Sequence, residues 1–130
     1  MHPDLFALSS AMSRPRLSLA MTINDRPEAT VRIIAWGELE TCTAGALCGA
    51  VRDALRRHRP ARIEVDLTGI TFIDARGISA LVTSQEDAAQ LGCRLAVPEV
   101  GRMVRRVLGV VGLLEQLGVV PVPRPRRHRA

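Results

Sequence analysis

Apolar and polar residues along this chain of 130 residues change period several times, and each change marks an element. Leu17 to Ile23 (Leu-Ser-Leu-Ala-Met-Thr-Ile) and Thr30 to Trp36 (Thr-Val-Arg-Ile-Ile-Ala-Trp) carry the alternation of half-exposed strands. Asn24-Asp25-Arg26-Pro27 between them is turn chemistry, so the pair predicts a hairpin. Gly37-Glu38-Leu39-Glu40 closes the second strand. The period then lengthens: Ala44, Leu47, Val51, Ala54 and Leu55 share one face of a helix that Thr41 or Thr43 caps. Its end, Arg56-Arg57-His58-Arg59, puts cations where the helix dipole favours them, and Pro60 stops it. A charged helix end accounts for that cluster without a binding role.

Arg62 to Ile73 is the stretch around which the rest is organised. Val65, Leu67, Ile70, Phe72 and Ile73 predict a strand buried on both faces. Asp74 follows as the expected N-cap of a helix from Gly77 to about Leu91, with Ile78, Leu81, Val82, Ala88 and Ala89 inward. Gly77 lets the backbone come close. Such a junction exposes the first amides of a helix at the carboxyl end of a sheet, where α/β proteins place partner and anion contacts. Arg94 to Val97 reads as a short strand, and Pro98 separates it from a third helix with Val100, Met103, Val104, Val107 and Leu108 on one face. Gly109 and Gly112 interrupt the pattern before Leu113 to Leu117. Val119, Val120 and Val122 suggest a last strand at an edge, the only place Pro121 allows one. The order β-β-α-β-α-β-α-β is that of an α/β domain with helical crossovers.

The run Asp66-Leu-Thr-Gly-Ile-Thr-Phe-Ile-Asp-Ala-Arg-Gly-Ile78 resembles the signature of STAS domains, the family that includes the bacterial anti-sigma factor antagonists. Members usually read Asp-Leu-Ser-Gly, a short apolar run, then Asp-Ser-Ser-Gly-Leu or Asp-Ser-Thr-Gly-Leu. Gly37-Glu38-Leu39-Glu40 is similar to the family's Gly-Glu-Leu-Asp element, with Glu40 in place of the Asp. The resemblance covers Leu17 to Val122. It implies a STAS-like α/β fold: a mixed central sheet of about four to five strands with three or more helices. Residues 17–122 then form the domain, between a flexible segment 1–16 and a basic, disordered tail 123–130, whose compositions commit to no core element.

The same resemblance implies a partner-binding surface of Glu38, Glu40, Asp74, Ala75, Arg76, Gly77, Ile78 and Ser79, with the acidic end of the second strand near the Asp74 turn. The implied partner is an anti-sigma factor that is itself a Ser/Thr kinase. Binding it frees a sigma factor and so regulates transcription. A homodimer or another STAS protein is the further partner class. In the family a hydroxyl residue after the signature Asp is phosphorylated, and the added charge of about −1.5 to −2 releases the partner. Here Ala75 and Arg76 stand at both positions and neither carries a hydroxyl. Ser79, Thr71 and Thr83 are weaker acceptors. Arg76 offers a permanent positive charge at a helix start that is already positive, which suits an acidic group on a partner; a lone exposed arginine is also ordinary on any surface.

Composition narrows the function classes. The net charge of +5 invites a nucleic-acid reading, yet Leu17 to Pro123 holds twelve Arg against twelve Asp and Glu, so the excess sits at the two ends. Phe6, Trp36 and Phe72 are the aromatics, too few for a stacking platform, and specific nucleic-acid binding is not expected. No apolar run approaches the about 20 residues of a membrane span, and the amino end has no positive leader, so a cytoplasmic protein without membrane contact is expected. Cys42, Cys48 and Cys93 are odd in number and widely spaced, as expected of reduced packing residues. His2, His58 and His128 cannot be placed beside a nucleophile, and no cofactor loop or metal spacing appears. A non-enzymatic binding protein without cofactor is the expectation. The alternative is a STAS module in a signalling assembly that senses a small ligand, a nucleotide or lipid, or serves as scaffold.

Overall fold

The computed structural model describes residues 16–122. The segment expected to be flexible, apart from Arg16, and the basic tail lie outside the described residues. Four strands form one sheet in chain order: β1 (Leu17–Asn24), β2 (Thr30–Leu39), β3 (Arg62–Ile73) and β4 (Arg94–Val100). β1 and β2 make the antiparallel hairpin, and β2, β3 and β4 run parallel. Helices α1 (Ala44–His58) and α2 (Ala75–Gln90) are the crossovers, and α3 (Arg102–Val110) follows β4. The fold is thus a mixed four-stranded sheet with three helices.

The strands bury alternate residues. Val31, Ile33 and Ala35 of β2, Ile63, Val65 and Leu67 of β3, and Leu95 and Val97 of β4 form one core with Leu47, Val51, Leu81, Val104 and Leu108 of the helices. β3 is therefore buried on one face, and the expectation of two buried faces is corrected. Its other face carries Glu64 and Asp66, which gather around Arg32 of β2 together with Glu99. Arg32 Nη2 lies 2.9 Å from Asp66 Oδ2. Burial pushes the Asp66 carboxyl up, but the hydroxyl and amide of Thr68 and the charge of Arg32 outweigh it and hold the group below its ordinary value. Opposite charges satisfied on the sheet make a second apolar layer over that patch unnecessary.

Two bulges explain where the sequence pattern misleads. Ile34 pairs with Asp66 but Trp36 with Gly69, and Gly37 pairs with Ile70 but Glu38 with Phe72. β3 thus spends two more residues than β2 on the same length: the first shift brings Ile70 inward and the second Ile73, so Phe72 between them faces outward, 48% exposed. Trp36 packs across Gly69, its Cδ1 2.6 Å from where a Cβ at Gly69 would sit.

Further corrections follow from packing. α2 buries Ala80, Leu81, Ser84 and Ala88 against α1, leaving Ala89 exposed, because the inward face is set by the α1 contact. The fourth strand continues through Pro98 to Val100, passing the proline at a bulge between its pairs with Glu64 and Asp66. Val119 to Val122 forms no strand, which corrects the expected edge strand, and Leu114 to Gly118 before it forms turns. That segment still guards the β4 edge: the Val97 amide donates to the Leu117 carbonyl and the Val120 amide to the Pro98 carbonyl.

Candidate functional site

The site is built where β2 and β3 end and α2 begins. Asp74 has extended backbone, and its Oδ1 accepts from the Gly77 amide at 2.9 Å, the hydrogen bond of an N-cap. Its Oδ2 accepts from both the amide and the hydroxyl of Thr41, each at 3.1 Å. One carboxylate therefore ties the start of α2 to the turn that follows β2. The Gly77 bond foremost, with the Thr41 bonds, holds the Asp74 carboxyl below its ordinary value against an opposing desolvation.

A second tie needs no charge. A Cβ on Gly77 would lie 2.2 Å from the Leu39 carbonyl oxygen and 2.9 Å from the Leu39 carbonyl carbon and from Ile73 Cγ1. Only glycine lets the first turn of α2 rest on the end of β2. The Asp74 amide adds a hydrogen bond to the same Leu39 oxygen at 3.3 Å.

The expected site residues divide under this geometry. Asp74, Ala75, Arg76, Gly77, Ile78 and Ser79 come together at the α2 start, with Ala75, Arg76 and Ser79 exposed, Ile78 half-buried and Gly77 buried. Glu38 and Glu40 lie close in the chain turn but do not reach Asp74 with their carboxylates. Glu40 Oε1 accepts from the Cys42 amide at 2.7 Å, and Glu38 Oε1 faces Arg16 Nη1 at 3.5 Å. Thr41 makes the contact instead; its place beside Glu40 in a capping position is the signal for it. Thr43 Oγ1 donates to the Glu38 carbonyl at 2.7 Å and accepts from the Glu40 amide at 2.9 Å, so it fixes the turn rather than capping α1 with its side chain.

Sequence reasoning missed Phe72 as a surface residue. It stands half-exposed opposite Glu38, two residues before Asp74, while Ala75, Arg76 and Ser79 are exposed at the start of α2. Among the described residues, no carboxylate lies within ion-pair distance of Arg76. A family model described as "Mlab, STAS domain" matches residues 24–121. The chain belongs to the STAS domain family.

Solved structures extend the likeness in fold. An anti-sigma factor antagonist from Mycobacterium paratuberculosis superposes with a TM-score of 0.65 at 22% identity, over 81% of this chain and 87% of that one. SpoIIAA in its unphosphorylated form, an anti-sigma factor antagonist of Bacillus, gives 0.59 at 19% identity over 72% and 82%. The murine anion transporter Slc26a9 gives 0.61 at 13% identity, over 90% of this chain and 22% of that one. At these identities the shared property is the fold. No curated protein sequence matches the chain.

One open cleft of about 360 Å³ lies at the end of the sheet opposite Asp74, lined by Arg62, Arg94 and Gln85 among others. Among the described residues no group of three His, Cys, Asp or Glu is placed to hold a metal, and no helix is long and apolar enough to cross a membrane. Cys93 is buried and Cys48 half-buried against Ser84, while Cys42 is exposed, which corrects its expected packing role.

Asp74→Ala tests the electrostatic part of the joint. A carboxyl held below its ordinary value contributes stability that is present above that value, about 3.9 for a free aspartate, and is lost as pH falls through the lowered one. The variant is expected to melt below wild type at neutral pH, with the gap closing as pH falls into the acid range. A gap independent of pH in thermal melts would assign the loss to packing alone.

Proposed function

We propose that this STAS domain is an anti-sigma factor antagonist that docks a kinase-like anti-sigma factor on the lip formed by Phe72, Ala75, Arg76 and Ser79, and thereby regulates sigma-factor-dependent transcription. The observation that carries the reading is the Asp74 joint. It spends the hydrogen-bonding capacity of Asp74 on holding α2 in place, and leaves outside it an open surface with an aromatic and a cation. Rigid presentation lowers the ordering cost of binding, which is what a docking surface needs.

The same lip lacks the acceptor on which the usual release depends. Ala75 and Arg76 are exposed at the start of α2, where a phosphorylated hydroxyl would sit against the partner. Binding is therefore constitutive or controlled by another route. Ser79 is exposed one turn further on and is the weak remaining acceptor in this helix start.

Two measurements test this. Titration calorimetry against kinase-like anti-sigma factors is expected to show a one-to-one complex; no binding to any of them removes the docking reading. Incubation with the kinase and labelled ATP is expected to leave the wild-type chain unlabelled and to label Ala75→Ser, whose new hydroxyl occupies the exposed helix start. Stoichiometric label on wild type would show that another residue has taken over the acceptor role.

A further inference from the structure

The two edges of the sheet are protected very differently. β4 carries Arg94, Pro98, Glu99 and a bulge, and the segment from Leu117 to Val120 hydrogen-bonds along it. Among the described residues, β1 has none of these defences. Its eight residues, Leu-Ser-Leu-Ala-Met-Thr-Ile-Asn, include no charge and no proline, and its register with β2 runs without a bulge from Leu17 to Asn24. A long, regular, uncharged edge strand is a template for another strand.

The direction of the free backbone groups follows from the ladder. The Glu38 amide donates to the Arg16 carbonyl, and the two residues stand opposite each other at the head of the uniform β1–β2 register. Antiparallel alternation then turns the backbone groups of Ser18, Ala20 and Thr22 towards β2 and those of Leu17, Leu19, Met21 and Ile23 outward. The side chains of Met21 and Ile23 are 38% and 50% exposed.

We infer that β1 pairs antiparallel with β1 of a second copy of this chain, about a two-fold axis at Ala20, joining two four-stranded sheets into one of eight strands. The sequence of β1 is complementary to itself in that register. Leu17 meets Ile23 and Leu19 meets Met21 on one face, while Ser18 meets Thr22 and Ala20 meets Ala20 on the other. The outward backbone groups of Leu17, Leu19, Met21 and Ile23 face one another, which allows about eight hydrogen bonds between the copies. Charges agree at the ends: Arg16 of one copy falls opposite Asn24 and next to Asp25 of the other. A register shifted by one residue would point the outward groups past each other and set apolar against polar faces. Because the axis stands perpendicular to the sheet, the two Asp74 lips lie at opposite ends of the dimer and both stay free.

Light scattering after size exclusion is expected to give about twice 14.1 kDa for the full chain. Ala20 is exposed, so Ala20→Glu leaves the fold intact by circular dichroism while placing two carboxylates against each other at the axis, and is expected to weaken the dimer at least about tenfold. Ala20→Cys in a Cys42→Ser background is expected to form a disulfide-linked dimer under mild oxidation, since facing residues of a non-hydrogen-bonded antiparallel pair stand about 4.5 Å apart. A species of 14.1 kDa at every concentration overturns the inference, as does a dimer indifferent to Ala20→Glu. Hydrogen exchange decides what else covers the edge. Protection of the Leu19 and Met21 amides that disappears on dilution supports pairing of two copies; protection unchanged by dilution means that residues 1–15 occupy the edge, and overturns it.

Discussion

Gly77→Ala is expected to lower folding stability by about 3 kcal/mol or more, above the usual range for a single added methyl. The added carbon would stand 2.2 Å from the Leu39 carbonyl oxygen. That oxygen belongs to the last residue of β2, inside a parallel ladder, and cannot swing aside as a flexible side chain would. Relief requires the start of α2 to lift from the sheet, which also stretches the Asp74 bond to Thr41. The melting temperature should fall by about 10 °C or more for a domain of this size. An alanine variant within about 0.5 kcal/mol of wild type in urea titrations would show that α2 and β2 separate freely, and the close joint would lose its structural role.

The second large effect concerns binding. On the proposed function, Phe72→Ala is expected to weaken the complex with a kinase-like anti-sigma factor by about 2 kcal/mol, or about 30-fold, the size of an aromatic anchor at an interface centre. Stability should change less than for Gly77→Ala, since half of the ring already faces water. Arg76→Glu reverses the charge of the lip and is expected to lower the association rate most at low salt. Variants that fold normally and bind with unchanged affinity would move the docking surface away from this end of the sheet.

Much of this architecture is legible in residue order. Alternation marked both strands of the hairpin, the helical spacing of Leu47, Val51, Ala54 and Leu55 marked α1, and Asp74 with Gly77 marked the strand-to-helix joint. These are local rules, each set by a few neighbouring residues, and the family signature rests on the same stretch. The misplaced features all depend on partners distant in the chain. Phe72 looks like a core residue, but the second bulge in the β2–β3 pairing gives the inward place to Ile73 and leaves Phe72 outward. Val119, Val120 and Val122 read as an edge strand, yet that segment meets β4 through single bonds such as that of the Val120 amide to the Pro98 carbonyl.

The candidate site shows the same division. An acid at a helix start predicts its own cap, and Asp74 supplies it. The carboxylate's other oxygen is taken by Thr41, thirty-three residues away, and that contact exists only because β2 and β3 lie side by side and end together. Residue order by itself determined the elements, the acid-capped joint and the missing hydroxyl at Ala75 and Arg76, because each is a property of adjacent residues. Only the tertiary structure decided which face of β3 is open, what Asp74 holds and which sheet edge has no covering segment among the described residues, because those depend on register between strands that the chain brings together from afar.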